Sequence, residues 1–154
     1  MTLLFSIDTS GAQEIKRHLV ACDETFHPHL SSKVDLAEYS TKLANCATRF
    51  EAWSDGALVG LVSVYCNNIE SGSAYITNVS VLPAFTGRGI ARRLLSSCRD
   101  HASNKGFVCL SLEVDPNAQS ALYLYQRLGF QFEDLHSTKA GRMALKLTEA
   151  VTKM

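Results

Sequence analysis

Hydrophobic and polar residues follow two rhythms along the chain, and each rhythm predicts one kind of element. Short runs rich in β-branched and aromatic residues, bounded by turn residues, are typical of strands. They predict seven strands: Leu3–Ile7, Arg49–Trp53, Leu58–Cys66, Ala74–Leu82, Val108–Val114, Phe130–Leu135 and Arg142–Leu147. Apolar positions three or four residues apart are typical of helices. They predict four: Gly11–Cys22, a second carrying Val34, Leu36, Tyr39, Leu43 and Cys46, then Gly89–Asn104 and Ala118–Leu128.

The order of these elements predicts an α/β fold. We expect one mixed central sheet of about six to seven strands with helices on both faces. The strand–helix–strand crossover around Gly89–Asn104 predicts parallel pairing there, and Asp55-Gly56 predicts a hairpin turn. Residues 8–10, Asp-Thr-Ser, offer N-cap side chains for the first helix. No repeat or flexible linker divides residues 1–154, so we expect a single domain.

Composition and charge argue against several classes of protein. The 154 residues are 46% hydrophobic and 19% charged, as in globular proteins. Fifteen basic and fifteen acidic residues balance, so the basic excess of a nucleic-acid-binding protein is missing. The longest apolar stretch, Ala57–Cys66, is too short to span a bilayer, and the start of the chain lacks the pattern of a secretory signal. We therefore expect a cytoplasmic protein that binds neither nucleic acid nor membrane.

The cysteines indicate a reduced protein. There are five, an odd number, widely spaced and without a Cys-x-x-Cys pair: Cys22, Cys46, Cys66, Cys98 and Cys109. Such cysteines usually fill the core as small apolar residues. The pattern predicts neither a disulfide framework nor a metal site.

Residues 79–95 carry the most informative chemistry of the chain. A strand, a proline, a glycine-bearing turn and an amphipathic helix follow one another here. A helix N-terminus presents unpaired N–H groups and the positive end of the helix dipole, which attract anions. Gly87 and Gly89 let the backbone bend towards a phosphate, and Ala91 keeps the first turn low. Positive charge is added at the same end by Arg88, Arg92 and Arg93.

This segment by itself leaves the ligand open. Gly-x-Gly also serves simply to turn a strand into a helix, and paired arginines are common on solvated faces. A Walker A loop is excluded because no Gly-Lys-Ser/Thr follows, and the glycine spacing does not match the dinucleotide fingerprint. The residues therefore indicate a phosphate-bearing ligand, and a pyrophosphate suits them.

Two blocks of the sequence resemble the GNAT family of N-acetyltransferases. Val81-x-Pro83 followed by Thr-Gly-Arg-Gly-Ile-Ala at residues 86–91 is similar to the family's coenzyme A motif, Gln/Arg-x-x-Gly-x-Gly/Ala. Further on come Leu112-Glu-Val114, the Ala-Leu-Tyr-Leu-Tyr run at residues 121–125, and Leu-Gly-Phe at residues 128–130. They resemble the family's fifth strand and fourth helix. The blocks stand in the family's order, and the predicted elements match its fold along nearly the whole chain.

The resemblance implies acetyl-coenzyme A as cofactor. It implies contacts from Val79, Val81, Thr86, Gly87, Arg88, Gly89, Ile90, Ala91 and Asn117. In the family the strand before the loop splays from its neighbour, so Val79 and Val81 would offer backbone groups, and the Val79 N–H would polarise the acetyl carbonyl. Thr86 replaces the usual Gln or Arg, which implies a weaker contact or a substitute in Arg88. Asn117 stands one residue before the family's usual Asn position, so it either contacts the cofactor or caps the following helix.

The resemblance also implies two catalytic residues. Tyr125 occupies the family's tyrosine position and is the expected general acid for the leaving thiolate, while Tyr123 faces elsewhere on the helix. A core tyrosine with a satisfied hydroxyl is the alternative for Tyr125. Glu113 is the expected general base, acting through water as in some family members that acetylate protein N-termini. A paired structural glutamate is equally open, since a carboxylate in an apolar strand must face a cleft, a partner or water.

The expected reaction is direct transfer of an acetyl group to a primary amine of a small molecule. By resemblance the acceptor lies near Asp23–Leu30 and Asn67–Ser73, where Phe26 and Tyr75 would wall the pocket and acidic side chains would attract a cationic amine. The alternatives are a protein or peptide N-terminus as acceptor, or a non-catalytic acyl-CoA-binding domain. A homodimer stays open, because no exposed apolar pattern requires one.

Overall fold

A computed structural model describes residues 2–26, 28–133 and 141–147 of the protein. This part of the chain contains the strands β1 (Leu3–Ile7), β2 (Thr48–Ser54), β3 (Ala57–Tyr65), β4 (Ser73–Val81), β5 (Cys109–Glu113), β6 (Gln131–Phe132) and β7 (Arg142–Lys146). Its helices are α1 (Ala12–Cys22), α2 (Leu36–Cys46), α3 (Ile90–Asn104) and α4 (Gln119–Arg127). The predicted fold class is confirmed, although the end of the predicted strand Phe130–Leu135 lies outside the described residues.

All seven strands belong to one sheet, in the order β1-β2-β3-β4-β5-β7-β6. Neighbouring strands are antiparallel except β4 and β5, which are parallel, as the crossover through α3 predicts. The β2–β3 hairpin turns at Asp55 and Gly56, whose φ angles are 51° and 79°. Two successive positive φ angles suit the twist of a two-residue hairpin, so the turn prediction is also confirmed.

The helices cover both faces of the sheet, as predicted. Leu61 and Val62 are adjacent on β3 and therefore point to opposite faces. Val62 belongs to the larger apolar core, which includes buried residues of α3 and α4. Leu61 belongs to a second core built with α1 and α2. The sheet is thus a layer between two pairs of helices.

The start of α1 differs from the prediction. Its N-cap is Gly11, whose N–H donates to the Glu14 side chain at 2.9 Å, so none of the three polar side chains before it caps the helix. Thr9 and Ser10 instead donate backbone and hydroxyl hydrogen bonds to the carboxylate of Glu51 on β2. A long-range partner therefore replaces the local cap that the sequence suggests.

Glu51 is fully buried and belongs to a charged network beneath the start of α1. The neighbouring Arg49 is also buried, and its Nε lies 3.7 Å from Glu51 Oε2. The Arg49 guanidinium donates to the Leu43, Ala44 and Ala47 carbonyl oxygens at 3.0–3.1 Å, at the C-terminus of α2. A cation suits that end of a helix, so the network joins β2, the β1–α1 loop and α2.

The five cysteines are all free. Among the helices in the described ranges, none is long and apolar enough to cross a membrane. Within the same ranges, His, Cys, Asp and Glu side chains form no group that would hold a metal ion.

Candidate active site

A gap opens between the two parallel strands β4 and β5. They pair only at the start of β4, from Ser73 with Cys109 to Tyr75 with Ser111. Among the described residues, no strand pairs with the rest of β4 on that side. Leu82 N donates to Val59 O on β3 at 2.9 Å, and backbone groups along a strand point alternately to its two sides. The backbone groups of Val79 and Val81 therefore point into the gap.

A β-bulge interrupts β4 beside this gap. Asn78 pairs with Ser63 and Ile76 pairs with Val64, so Thr77 is an extra residue on β4. A bulge re-aims the side chains next to it. Here the Thr77 hydroxyl lies 2.7 Å from the Tyr39 hydroxyl, on the face that carries α1 and α2.

The loop before α3 has the geometry of an anion site. Gly87 and Gly89 have φ angles of 80° and 76°, which glycine adopts without strain. Gly89 is the N-cap of α3 and offers no side chain to the N–H groups of the first turn, so these remain available to a ligand. Both glycines point their missing Cβ into open space.

The residues around this loop differ in which groups they can offer to a ligand. The Thr86 hydroxyl donates to Pro83 O at 3.0 Å. The Arg88 guanidinium lies 4.9 Å from the centre of the Phe85 ring and is exposed. The side chain of Ile90 is buried in the core, so only its backbone N–H faces a ligand. Ile90 thus packs in the core from the first position of α3.

A cavity of about 580 Å³ joins the gap, the loop and the α1–α2 face. Its size is that of an ordinary small-molecule site. Six of the residues expected from the sequence line it: Val79, Val81, Thr86, Ala91, Glu113 and Tyr125. The other five do not line it: Gly87, Arg88, Gly89, Ile90 and Asn117. Gly87, Arg88 and Gly89 belong to the loop at its edge, and Ile90 begins α3.

Tyr125 enters the cavity from α4. Its side chain is only 7% exposed, and its ring meets that of Phe130 edge to face, with 5.9 Å between centroids. Burial raises the pKa of Tyr125 to about 12, because the phenolate would be poorly solvated. Its hydroxyl has no hydrogen-bond partner among the described residues, unlike a typical core tyrosine. Tyr123 is exposed on another side of α4, as predicted.

Glu113 lies at the end of β5, on the rim of the cavity. Its side chain is exposed, which differs from the desolvated carboxylate considered from the sequence. Its cross-strand partner is Arg142 on β7, which also lies 3.2 Å from Glu133. A carboxylate here is in contact with water and with the cavity at once.

Asn117 is exposed outside the cavity. The N-cap of α4 is Ala118, so the alternative that Asn117 caps this helix is wrong. The backbone of Asn117 lies in a turn, in which its N–H donates to Asp115 Oδ1 at 2.9 Å and its carbonyl accepts from Gln119. The Asp115 side chain thus holds Asn117 in a turn, and Asn117 does not cap α4.

The acceptor end of the cavity matches the sequence analysis in part. Thr25, Phe26, Pro28 and Leu30 line it, as expected for the segment after α1. The loop Asn67–Ser73 does not line it. Tyr75 of β4 lines it as expected, and the rest of the wall comes from Thr77 of β4 and Tyr39 of α2. Thr77 and Tyr39 meet at the bulge, for which a single sequence carries no clear signal.

The comparisons with known proteins agree with this geometry. The model of the acetyltransferase (GNAT) family matches residues 12–130. The N-alpha-acetyltransferase RimI of Mycobacterium tuberculosis is 32% identical over 126 residues, which cover 80% of this chain and 73% of that protein. An aminoglycoside N(6')-acetyltransferase of Salmonella typhimurium is 27% identical over 88 residues, 53% of this chain and 61% of that one.

A solved structure extends the likeness to the whole fold. The PaiA N-acetyltransferase of Thermoplasma acidophilum, in complex with coenzyme A, superposes with a TM-score of 0.74 at 16% identity and covers 95% of this chain and 99% of its own. Several curated relatives align over only 38% to 61% of their own length. The family match spans the gap, the glycine loop and Tyr125 together, and on that basis the chain belongs to the acetyltransferase (GNAT) family.

Proposed function

We propose that the protein transfers an acetyl group from acetyl-coenzyme A to a primary amine, by direct attack within a ternary complex. The observation that carries the proposal is the gap between β4 and β5, because the cavity that it joins is lined by Thr86 and Ala91, on either side of the glycine loop, and by Tyr125. Acetyl-CoA is long, with a pyrophosphate in its middle and a thioester at one end. The gap would offer this cofactor an anion site, free backbone groups and an acid.

The residues present suit this cofactor. The first-turn N–H groups of α3 and the exposed Arg88 would hold the pyrophosphate. The backbone groups of Val79 and Val81 would pair with the pantetheine arm, and the Val79 N–H would polarise the acetyl carbonyl. Thr86, Ile90 and Ala91 would contribute backbone contacts. Asn117 has the weakest support, since it is exposed outside the cavity.

Two side chains would move the protons. Acetyl-CoA supplies an acyl group already activated as a thioester, so the protein has to deprotonate the amine and protonate the leaving sulfur. Burial raises the pKa of Tyr125 to about 12, so its hydroxyl stays protonated throughout the physiological range, and it would donate to the sulfur as the thiolate develops. Glu113 touches both the cavity and water, which suits a base that takes the amine's proton through a water molecule.

A small-molecule amine remains our first choice of acceptor. The acceptor end of the cavity is walled by Phe26, Leu30, Tyr39 and Tyr75 and bordered by the carboxylate of Glu113, which suits an amine on a partly apolar body. The aminoglycoside acetyltransferase relative supports this class. A protein or peptide N-terminus is the second candidate. It is favoured by the RimI relative, an N-alpha-acetyltransferase that aligns with most of this chain.

A single domain, a cytoplasmic location and a homodimer stay predictions of the same proposal. The edge strand β1 exposes Leu4 and Ile7, which offers a surface for a second copy without requiring one.

Binding of acetyl-CoA tests the proposal first. Ligand at about a hundred times its dissociation constant adds about 2.7 kcal/mol, or a melting shift of roughly 5–10 °C for a domain of this size. Adenosine diphosphate is the control for the pyrophosphate alone. Thiol release with small amines and with peptides then separates the two acceptor classes. Binding of acetyl-CoA without transfer to any amine would favour the non-catalytic acyl-CoA-binding domain.

A further inference from the structure

A chain of buried polar side chains lies behind the acceptor wall of the cavity. His18 of α1 is 2% exposed. Its Nδ1 lies 3.0 Å from the Leu58 carbonyl oxygen and its Nε2 lies 2.8 Å from Ser80 Oγ. Ser80 Oγ in turn lies 2.8 Å from the Asn78 side-chain amide, at its Oδ1 position. Asn78 and Ser80 also line the cavity, so the chain ends there.

The chemistry of each member sets the direction of these hydrogen bonds. A carbonyl oxygen only accepts, so His18 Nδ1 must carry a proton towards Leu58. Burial lowers the pKa of His18 to about 4, against the hydrogen bonds from Leu58 and Ser80, so the ring is neutral at pH 7 and Nε2 is bare. Two lone pairs at 2.8 Å repel each other, and therefore Ser80 must donate its proton to Nε2.

This direction of hydrogen bonding requires a flip of the Asn78 side-chain amide, in which its oxygen and nitrogen exchange places. The hydroxyl of Ser80 has a single proton, which His18 already takes, so Ser80 can only accept from Asn78. A side-chain amide has the same outline in either orientation, and hydrogen bonding decides which atom stands where. The NH2 group of Asn78 must face Ser80, and its carbonyl oxygen must face the other way.

Asn78 shares the cavity wall with Tyr39 and Thr77. Burial raises the pKa of Tyr39 to about 12, against the opposing hydrogen bonds of Thr77 and Asn78, so its hydroxyl keeps its proton. The Tyr39 hydroxyl donates to Thr77 O at 3.0 Å. A carbonyl oxygen has two lone pairs, so at least one on Asn78 is left for a ligand.

We propose that the side-chain carbonyl oxygen of Asn78 accepts a hydrogen bond from the acceptor amine, and that His18 and Ser80 are positioning residues that hold it in that orientation. This inference rests on the proposed function and assigns a specificity-determining contact within it. Asn78 directly precedes Val79, whose N–H is our choice for the acetyl carbonyl. Its side chain is on the α1–α2 face, whereas the gap opens at the β5 edge of β4, so amine and thioester would reach Val79 from different directions.

A neutral acceptor at this place has a chemical advantage. A carboxylate in contact with the amine would favour its protonated, non-nucleophilic form. An amide carbonyl holds one N–H of the neutral amine and leaves the nitrogen lone pair free for attack. The contact therefore orients the nucleophilic amine without favouring its protonated form.

Kinetics with trialanine amide and with kanamycin as probe amines test the contact. Asn78→Ala should raise KM for the amine about tenfold, the loss of one hydrogen bond, with KM for acetyl-CoA unchanged. Ser80→Ala should act in the same direction, whereas Ser63→Ala should not. Ser63 is equally buried, pairs with Asn78 across the strands and has no hydrogen-bond partner among the described side chains, so it is the matched control.

The His18 position supplies a rescue experiment and a direct measurement. His18→Gln offers an amide that can still donate to Leu58 and accept from Ser80, so it should keep the KM for the amine near that of the wild type, unlike His18→Leu. The ¹⁵N NMR shifts of His18 in the wild type should show a protonated Nδ1 and a bare Nε2 at pH 7. A proton on Nε2 would overturn the inference, as would an unchanged KM for the amine in Asn78→Ala. A wild type that binds acetyl-CoA but acetylates no amine contradicts the proposed function itself, and the inference falls with it.

Discussion

Ile90, the first residue of α3, packs directly on the bare α-carbon of Gly60 in β3. A Cβ on Gly60 would lie 2.6 Å from Ile90 Cγ2 and 3.4 Å from both Ala52 Cβ and Leu94 Cδ1. No side chain fits in that space. The close approach sets the height of the α3 N-terminus above the sheet, and with it the position of the glycine loop that we propose for the pyrophosphate.

Gly60→Ala should therefore affect both stability and cofactor binding. Overpacking a filled core costs about 1–3 kcal/mol, and relief of the contact requires α3 to shift. We expect a lower free energy of unfolding in urea and a weaker affinity for acetyl-CoA by calorimetry. Gly11→Ala is the control for cofactor affinity, because its Cβ would meet only Glu14 Oε1 at 3.8 Å; alanine is a poorer N-cap of α1 and lowers stability, but α3 has no reason to shift. Equal affinities for Gly60→Ala and the wild type would mean that this packing contact does not set the position of the glycine loop.

Tyr125→Phe should lower kcat and leave the affinity for acetyl-CoA almost unchanged. Loss of a general acid costs about 10²–10⁴-fold in rate, and phenylalanine keeps the ring that packs against Phe130. The measurement is thiol release at saturating amine, with calorimetric titration of acetyl-CoA alongside. Tyr123→Phe is the matched control on the exposed side of α4. Normal turnover by Tyr125→Phe would mean that another group, or water, protonates the sulfur.

Thr86→Gln should tighten acetyl-CoA binding. The threonine hydroxyl already donates to Pro83 O at 3.0 Å, so it is engaged within its own loop. The longer amide of glutamine can reach outwards and add one hydrogen bond, which is worth about 0.5–1.5 kcal/mol. Thr86→Ala removes only the internal bond and should leave the dissociation constant nearly unchanged. If Thr86→Ala weakens binding markedly, the threonine itself contacts the cofactor.

Local patterns predicted the fold well because each element carries its own signal. The periodicity of α3 and the Asp55-Gly56 turn are decided by neighbouring residues, and both are confirmed. The cap of α1 was mispredicted because Ser10 has a better partner 41 residues away, in Glu51. The acceptor wall matches the sequence analysis only in part, for a similar reason. The bulge at Thr77 depends on the register of two strands, and the Asn78 orientation depends on a histidine in α1, which no local pattern records.

Glu51→Gln should destabilise the protein at neutral pH and make it less sensitive to acid. Burial alone would raise the pKa of Glu51, but the donors from Ser10 and Thr9 outweigh it and hold the pKa below the ordinary value of 4.5. The contribution to stability is therefore complete above pH about 4.5 and is lost as the pH falls through the lower value of the folded state. Breaking a buried ion pair costs about 3–5 kcal/mol. Urea unfolding at pH 7 and pH 3 measures both effects. If the free energies of unfolding of the two proteins differ by the same amount at both pH values, the direction of the Glu51 pKa shift is contradicted.

His18→Gln should change how stability depends on pH over a different range. The pKa of His18 is about 4 in the folded protein and 6.5 in the unfolded chain. Between these values the unfolded chain binds a proton that the folded protein does not, so stability is complete above pH about 6.5 and falls as the pH drops. The total loss is about 3 kcal/mol, since one pKa unit corresponds to 1.36 kcal/mol. Glutamine does not titrate. The free energy of unfolding of the wild type should therefore fall relative to that of His18→Gln as the pH is lowered from 7 to 4. Parallel stability curves over that range would mean that His18 keeps an ordinary pKa, so that its ring is protonated below pH about 6.5 and Ser80 cannot donate to Nε2 there.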